Sequence, residues 1–384
     1  MPIPGSRSGR SRRSPRWFTL LVASALALLF PPAAGVSAGE LRGDVHADSV
    51  ASSRVEFLPL LSYDTDVGFG YGLKLFVLSL FGQSESFDLV LFHSTGGERW
   101  YRLAFAFPDF ERRHGRPFPL SVDVLIDYDK YLKDSFFGIG NASRFDDRER
   151  YTREPLECSV IASRGWTNEV VTSAGLRYRW IRNHGFQPLS RLAMLSPAEN
   201  RGSVSTAGIV LAGRIDARDS YVNPSRGTVL SVEGEIVPRG IVSDIAMSRW
   251  SASAQWYAPL IGRRTVLAAR IMASAVSGDS LPVQLLSPVG GTQTLRGSPQ
   301  NRFLDRASGI ANVELRFPLV WRLGGVAGFD AGNVWSDLSQ WNLKRWSWNG
   351  VAGLRLYMDM FLVRLDAGIG RETTGFYLNF GQLF

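Results

Sequence analysis

The sequence has little of what cross-linking and catalytic chemistry need. It holds one cysteine, Cys158, so an internal disulfide framework is excluded. Cys158 shares a strand face with Leu156, Val160 and Ala162, which reads as a small apolar filler. The four histidines, His46, His93, His114 and His184, show no metal-ligand spacing, and no metal or other cofactor is expected. His93 falls on one face with Phe87, Leu89 and Leu91, away from any Ser–His or Asp–His arrangement, and no Gly-x-Ser-x-Gly elbow occurs. The chain is therefore not expected to be an enzyme. Past residue 38 there is no run of about 20 apolar residues, so no helix is expected to cross a bilayer.

What is present begins with an export segment. Arg7, Arg10, Arg12, Arg13 and Arg16 form a basic region, Trp17 to Phe30 is an apolar run too short to span, and Val36-Ser37-Ala38 is a small-residue cleavage site. Residues 1–38 read as a signal peptide, 39–53 as a short periplasmic tail or plug, and 54–384 as one domain. Removing 1–38 leaves 346 residues and lowers the formal charge from +8 to +3. The basic balance thus belongs mostly to targeting, and a nucleic-acid partner is not expected.

The full sequence is 45% hydrophobic with 39 glycines, and past residue 38 its dominant pattern is period-2 alternation. In 311–321, Ala311, Val313, Leu315, Phe317, Leu319 and Trp321 share one face, with Asn312, Glu314, Arg316 and Pro318 on the other. The pattern predicts strands over 54–63, 68–81, 86–94, 98–107, 119–129, 151–163, 168–181, 204–217, 227–237, 245–258, 263–276, 308–319, 322–333, 348–358, 361–370 and 375–384. The polar faces carry charges of both signs, among them Arg102, Asp127, Arg177, Glu233, Arg270 and Asp366. An Arg facing lipid near the midplane costs roughly 2–4 kcal/mol, so these faces are expected to line a wet interior. Export, no spanning helix and an even number of strands together predict an all-β transmembrane antiparallel barrel of about 16 strands in the bacterial outer membrane. Tyr71, Trp100, Trp180, Trp321 and Trp335 are candidates for its interfacial aromatic girdles.

Three connections are long, 130–150, 182–203 and 277–307, and are expected on the extracellular side. The last contains Gly290-Gly291-Thr292-Gln293-Thr294-Leu295-Arg296-Gly297. Just downstream, lone acids stand on polar faces: Glu314, and Asp330 between Gly328 and Gly332. Two glycines flanking an acid leave the wall nearly bare backbone there, where a loop can approach. An Arg on the loop would meet the carboxylate in bidentate geometry. On the residues alone, a solvated Arg296 and a plain interior Asp330 is an equal reading. The chain ends Phe376-Tyr377-Leu378-Asn379-Phe380-Gly381-Gln382-Leu383-Phe384, with Phe376, Leu378, Phe380 and Phe384 on one face of a final strand. That face reads as a lipid-facing assembly signal recognised by strand addition.

Several of these segments, in this order, resemble the barrel of the BamA/TamA surface-antigen superfamily of outer-membrane assembly factors. They are Arg218-Asp219-Ser220 with Asn223-Pro224-Ser225-Arg226-Gly227; Leu295-Arg296-Gly297; Glu314-Leu315-Arg316-Phe317-Pro318; Gly328-Phe329-Asp330-Ala331-Gly332; and the terminal Phe380–Phe384. Phe136-Phe137-Gly138-Ile139-Gly140-Asn141 fits more loosely. The resemblance implies a loop folded into the interior and locked by Arg296 and Gly297 against Glu314, Gly328, Asp330 and Gly332. It implies a non-enzymatic role in inserting or translocating protein or lipid, with a passive or gated pore as the alternative. The implied partners are outer-membrane lipid, a separate periplasmic partner or client, and the assembly machinery during biogenesis. The family's periplasmic domains are not expected, since 39–53 is too short for one. A weak seam is expected between the first strand, near Val55-Glu56-Phe57-Leu58, and the last, loosened by Gly375 and Gly381.

Overall fold

A computed structural model describes residues 53–384 apart from 197–198, 201, 241, 261–263 and 359–361. The expected signal peptide and all but the last residue of the expected tail lie outside the described residues. Alternating chains hide one face each, and the fold satisfies this by closing a wall on itself. Its first eleven strands are β1 (Arg54–Asp64), β2 (Gly68–Leu78), β3 (Ser86–Ser94), β4 (Arg99–Phe107), β5 (Phe118–Phe136), β6 (Glu149–Gly165), β7 (Val170–His184), β8 (Ser203–Asp216), β9 (Gly227–Val237), β10 (Met247–Pro259) and β11 (Val266–Ser277). Two short strands follow, β12 (Ser287–Val289) and β13 (Phe303–Asp305), and then β14 (Ala307–Val320), β15 (Leu323–Trp335), β16 (Ser347–Tyr357), β17 (Leu362–Ile369) and β18 (Thr374–Phe380). All but β12 and β13 form a closed antiparallel barrel of sixteen strands, ordered along the chain, with β11 beside β14 and β18 beside β1. No helix among the described residues is long and apolar enough to cross a membrane.

The alternation sorts as the composition requires. Leu103, Ile126, Val160, Leu176, Ile271 and Phe376 are exposed on the outside. The charges of the other face, including Arg177, Glu235, Arg270, Glu314, Arg355 and Asp366, are buried inside. Three expectations are corrected here. The interior is not wet around β14–β17, where these charges are almost fully enclosed. Trp100 is no girdle residue, because it points inward and its Nε1 donates to Asp127 at 2.8 Å. The connections 130–150 and 182–203 are partly strand, since β5 runs to Phe136, β6 begins at Glu149 and β7 runs to His184, where charged and apolar residues no longer alternate cleanly.

Both mouths follow from the topology. One rim holds the longest connections, including 137–148, 185–202, 278–306 and 336–346, and the other holds the two termini of the wall and shorter connections, the longest being 108–117 and 217–226. The wall is unequal at its seam. β1 pairs with β2 from Arg54–Leu78 to Asp64–Gly68, but with β18 only at Tyr63–Leu378 and Asp64–Tyr377. Thr65 Oγ1, which accepts from Phe376 N at 2.7 Å, extends the contact toward the long-loop rim. Val55–Leu58 therefore have no partner strand on the β18 side among the described residues.

Candidate functional site

The segment 278–306 between β11 and β14 supplies the centre of the site. It is not bare loop: β12 and β13 pair as a small antiparallel ribbon, Ser287–Asp305 to Val289–Phe303. Buried backbone must find partners, and a ribbon supplies them internally. Below the ribbon, Val289, Leu295 and Phe303 pack with Ile310 of β14 and Val334 of β15. The segment also touches the wall in several sectors. Gln300 N donates to Asp66 in the β1–β2 turn at 2.7 Å, Asn301 Nδ2 to Asp134 of β5 at 3.0 Å, and Arg270 Nη2 of β11 to Gln293 O at 2.6 Å.

Arg296 is fully buried and touches three carboxylates from three strands. Its Nε and Nη2 grip Asp330 of β15 at 2.8 and 2.9 Å, and its backbone N donates to the same carboxylate at 3.1 Å. Its Nη1 donates to Glu314 of β14 at 2.6 Å and to Asp366 of β17 at 3.0 Å. Wall arginines share these acids. Arg316 Nε meets Glu314 at 2.9 Å, and Arg355 Nη1 meets Asp366 at 2.6 Å. Asn312 Nδ2 completes Asp330 at 2.7 Å. A planar guanidinium with five donors can bridge such a set, which a single ammonium cannot.

Of the residues singled out from sequence, Arg296, Glu314 and Asp330 are thus brought together. Gly297 sits beside them with φ 92°, and a Cβ there would lie 2.6 Å from the Gly368 carbonyl carbon of β17. Gly332 makes room for the segment, since a Cβ would meet Val289 Cγ1 at 2.5 Å. Gly328 does not, because its nearest neighbour is Val313 O of the adjacent strand. The close approach that sequence reasoning missed is Gly368, where a Cβ would overlap the carbonyl carbon of Arg296. Asp366 was recognised only as an interior charge, though its alternation with Arg364 placed it on the same face.

A second arginine was missed altogether. Arg302 is buried and holds Glu372, in the β17–β18 turn, through Nε at 2.6 Å and Nη2 at 2.7 Å. Its other donors reach Ser143 Oγ and O at 2.9 and 2.8 Å, and its guanidinium lies over the Phe137 ring at 4.9 Å. The Phe136–Asn141 stretch is therefore packed on the segment, and Asn141 binds the free edge of β15 through Val334 O and N at 2.7 and 3.2 Å. Arg302→Ala is expected to weaken the upper part of the segment by about 1–3 kcal/mol, less than loss of Arg296, because Glu372 stays partly solvated. Protease nicking within 278–306 at the long-loop rim, with heat-modifiability of the barrel kept, is the expected readout.

The final residues depart from expectation. Phe376 is exposed on the outer face, and Leu378 and Phe380 follow it there. Phe384 does not share that face. The strand stops at Phe380, Gly381 turns with φ 78°, and Phe384 is buried with Arg270 and Arg316 over its ring at 5.0 and 5.1 Å. Two inward cations and the Tyr257 ring outcompete continuation of the strand.

At the long-loop rim, Glu98 in the β3–β4 turn has its carboxyl pushed up to about 8 by burial, with Asp129 and Asp64 nearby adding repulsion. A carboxyl raised in the folded state favours folding while protonated. That contribution is full below the ordinary value of 4.5 and is lost as pH rises through about 8. Thermal stability of the barrel is expected to fall across that window, and Glu98→Gln is expected to flatten the fall when unfolding temperature is followed against pH.

A model of the Omp85 superfamily domain matches residues 79–384. The chain belongs to the Omp85 superfamily. Solved Omp85 structures are similar to it. BamA from Haemophilus ducreyi lacking POTRA domains 1–3 has a TM-score of 0.62 at 15% identity, covering 85% of this chain and 70% of that one. CdiB from Escherichia coli has 0.60 at 14%, covering 87% and 63%, and CdiB from Acinetobacter baumannii has 0.55 at 13%, covering 91% and 72%. The chain thus spans just under two thirds of the first CdiB. At such identities these likenesses establish the shared Omp85 barrel fold. No curated protein sequence matches the chain.

Proposed function

We propose that this Omp85 barrel sits in the bacterial outer membrane with its long-loop rim outward and assists insertion or translocation of protein or lipid. It acts by parting β1 from β18, without catalysis and without a cofactor. The observation that carries this is the seam. Among the described residues, nothing pairs with Arg54–Ser62 of β1 on the β18 side, which leaves an edge open to lipid or to an incoming strand. The exposed Val55, Phe57 and Leu61 on that edge suit an apolar client. The partners are outer-membrane lipid, the assembly machinery during biogenesis, and a separate periplasmic partner or client. Arg296 and Gly297, held by Glu314, Asp330 and Asp366, form the lock that keeps the interior plugged while the seam works. Phe376, Leu378 and Phe380 serve as the outward part of the assembly signal. A passive or gated pore is the second reading, and the filled interior around Arg296 speaks against a steady one.

Register partners lie roughly 4.5–5.5 Å apart at Cα, within disulfide range. Tyr63→Cys with Leu378→Cys should therefore staple the seam. Cells depleted of the native protein and supplied with the stapled variant are expected to show the same outer-membrane protein and lipid defects as depletion, relieved by reductant. Full complementation by the oxidised variant would sink the lateral-opening reading.

A further inference from the structure

The outer surface of β3–β7 carries a one-sided row of cations near the long-loop rim, and the register builds it. His93 of β3 faces Arg99 of β4, and Arg99 faces Lys130 of β5. Lys130 forms an ion pair with Glu154 of β6, which also meets His184 of β7 at 3.2 Å and has Arg182 as its register partner. These positions share the outward parity of Leu91, Leu103, Ile126, Val160 and Leu176. Arg99 and Arg182 are exposed, and Lys130 is partly so.

One step toward the midplane lies an aromatic row. Tyr101 stacks on Tyr128 with centroids 6.0 Å apart, the Tyr101 hydroxyl meets His93 Nε2 at 3.0 Å, and Tyr71 lies against His93 at 6.3 Å. Trp180, facing Leu156, continues it on β7. Aliphatic side chains, aromatic rings and then cations are the order met on passing from acyl chains into headgroups. What a general girdle does not explain is the confinement. The outward register position after Arg182 is Ser203 of β8; nearer the same rim on β9–β11, Ile236, whose β8 partner is Ile209, faces Ser248, and Ser248 faces Ser277. None of these is charged.

We propose that this face of β3–β7 docks the phosphorylated headgroup of an anionic glycolipid of the outer leaflet. This rests on the membrane placement proposed above. Arg99, Lys130 and Arg182 stand against a single acid, Glu154, which Lys130 and His184 already engage. A phosphate monoester brings about −1.5 to −2 charge and three acceptor oxygens, and guanidinium groups grip it in bidentate fashion. The tyrosine row beneath offers flat amphipathic faces at the boundary between sugar and acyl chain.

The test uses the full chain and an Arg99→Gln/Lys130→Gln/Arg182→Gln variant, refolded into phosphatidylcholine nanodiscs doped with lipid A, a bis-phosphorylated glycolipid. Insertion is verified first by heat-modifiable migration, and retained lipid is then measured by mass spectrometry. The wild type is expected to enrich lipid A, less so at high salt. The variant should retain about a hundredfold less, on the order of fivefold for each cation near an anionic surface. An Arg99→Lys/Arg182→Lys variant should keep most of the enrichment. Equal enrichment by wild type and Gln variant overturns the proposal. So does equal wild-type preference for phosphatidylglycerol in competing discs, which marks general attraction to negative charge. A wild-type chain that does not insert overturns the membrane placement itself.

Discussion

Arg296→Ala is expected to lower the stability of the folded barrel by about 3–5 kcal/mol and to raise its conductance. The figure follows from enclosure: both partners of the pair are fully buried, and removing one side of a buried ion pair leaves the other uncompensated. The loss falls unequally. Glu314 keeps Arg316 and Arg355, and Asp366 keeps Arg355 and Arg364. Asp330 keeps only the Asn312 amide and the backbone N–H of residue 296, and becomes a buried carboxylate with no cation on it. Asp330→Asn in the Arg296→Ala background should therefore recover part of the loss, whereas Arg296→Lys should recover little, since one ammonium cannot serve three carboxylates from three strands. Heat-modifiability midpoints give the stability, and planar-bilayer recording gives the conductance. Unchanged values in both measurements for Arg296→Ala would refute the lock.

Gly368→Ala should produce a similar phenotype without touching a charge. The added methyl would occupy the space of the Arg296 carbonyl carbon, and the obstacle is backbone on both sides, so no rotamer change relieves it. Overpacking of this kind typically costs about 1–3 kcal/mol by itself. Here it also pushes Arg296 and Gly297 off the wall, endangering the Gly297 N–H to Tyr377 hydroxyl bond at 3.0 Å and the Thr373 Oγ1 to Gly297 O bond at 2.5 Å. Because both substitutions release the same contact, their effects should not add. In the Arg296→Ala background, Gly368→Ala should cost only its own local strain. Full additivity in a double-mutant cycle would mean that Gly368 acts on the β16–β17–β18 wall alone. The two experiments thus separate a charge that holds the segment from the space that admits it.

Much of the fold was legible in the chain, and the reason is local. Period-2 alternation is written residue by residue, so the sixteen wall strands, the outward Leu176 and Phe376, and the inward Glu314 and Asp330 follow from their immediate neighbours. Even the pairing of Arg296 with Asp330 had a local trace, a lone cation in a long connection and an acid between two glycines. What alternation cannot report is distance across the interior. Whether the charges stand in water or against one another depends on what lies on them, and Arg296 of the 278–306 segment lies on Glu314, Asp330 and Asp366. Gly368 matters only because Arg296 lies on it, Arg302 only because Glu372 and Ser143 come from other sectors of the rim, and Phe384 turns inward only because Arg270 and Arg316 wait there. The amino-acid sequence by itself determined the wall and the faces of its strands, Trp100 and Phe384 apart, since steric alternation and the aversion of charge to lipid act over one or two residues. The tertiary structure alone decided the dry three-acid clamp and how little of β1 meets β18, since both arise from contacts between segments far apart along the chain.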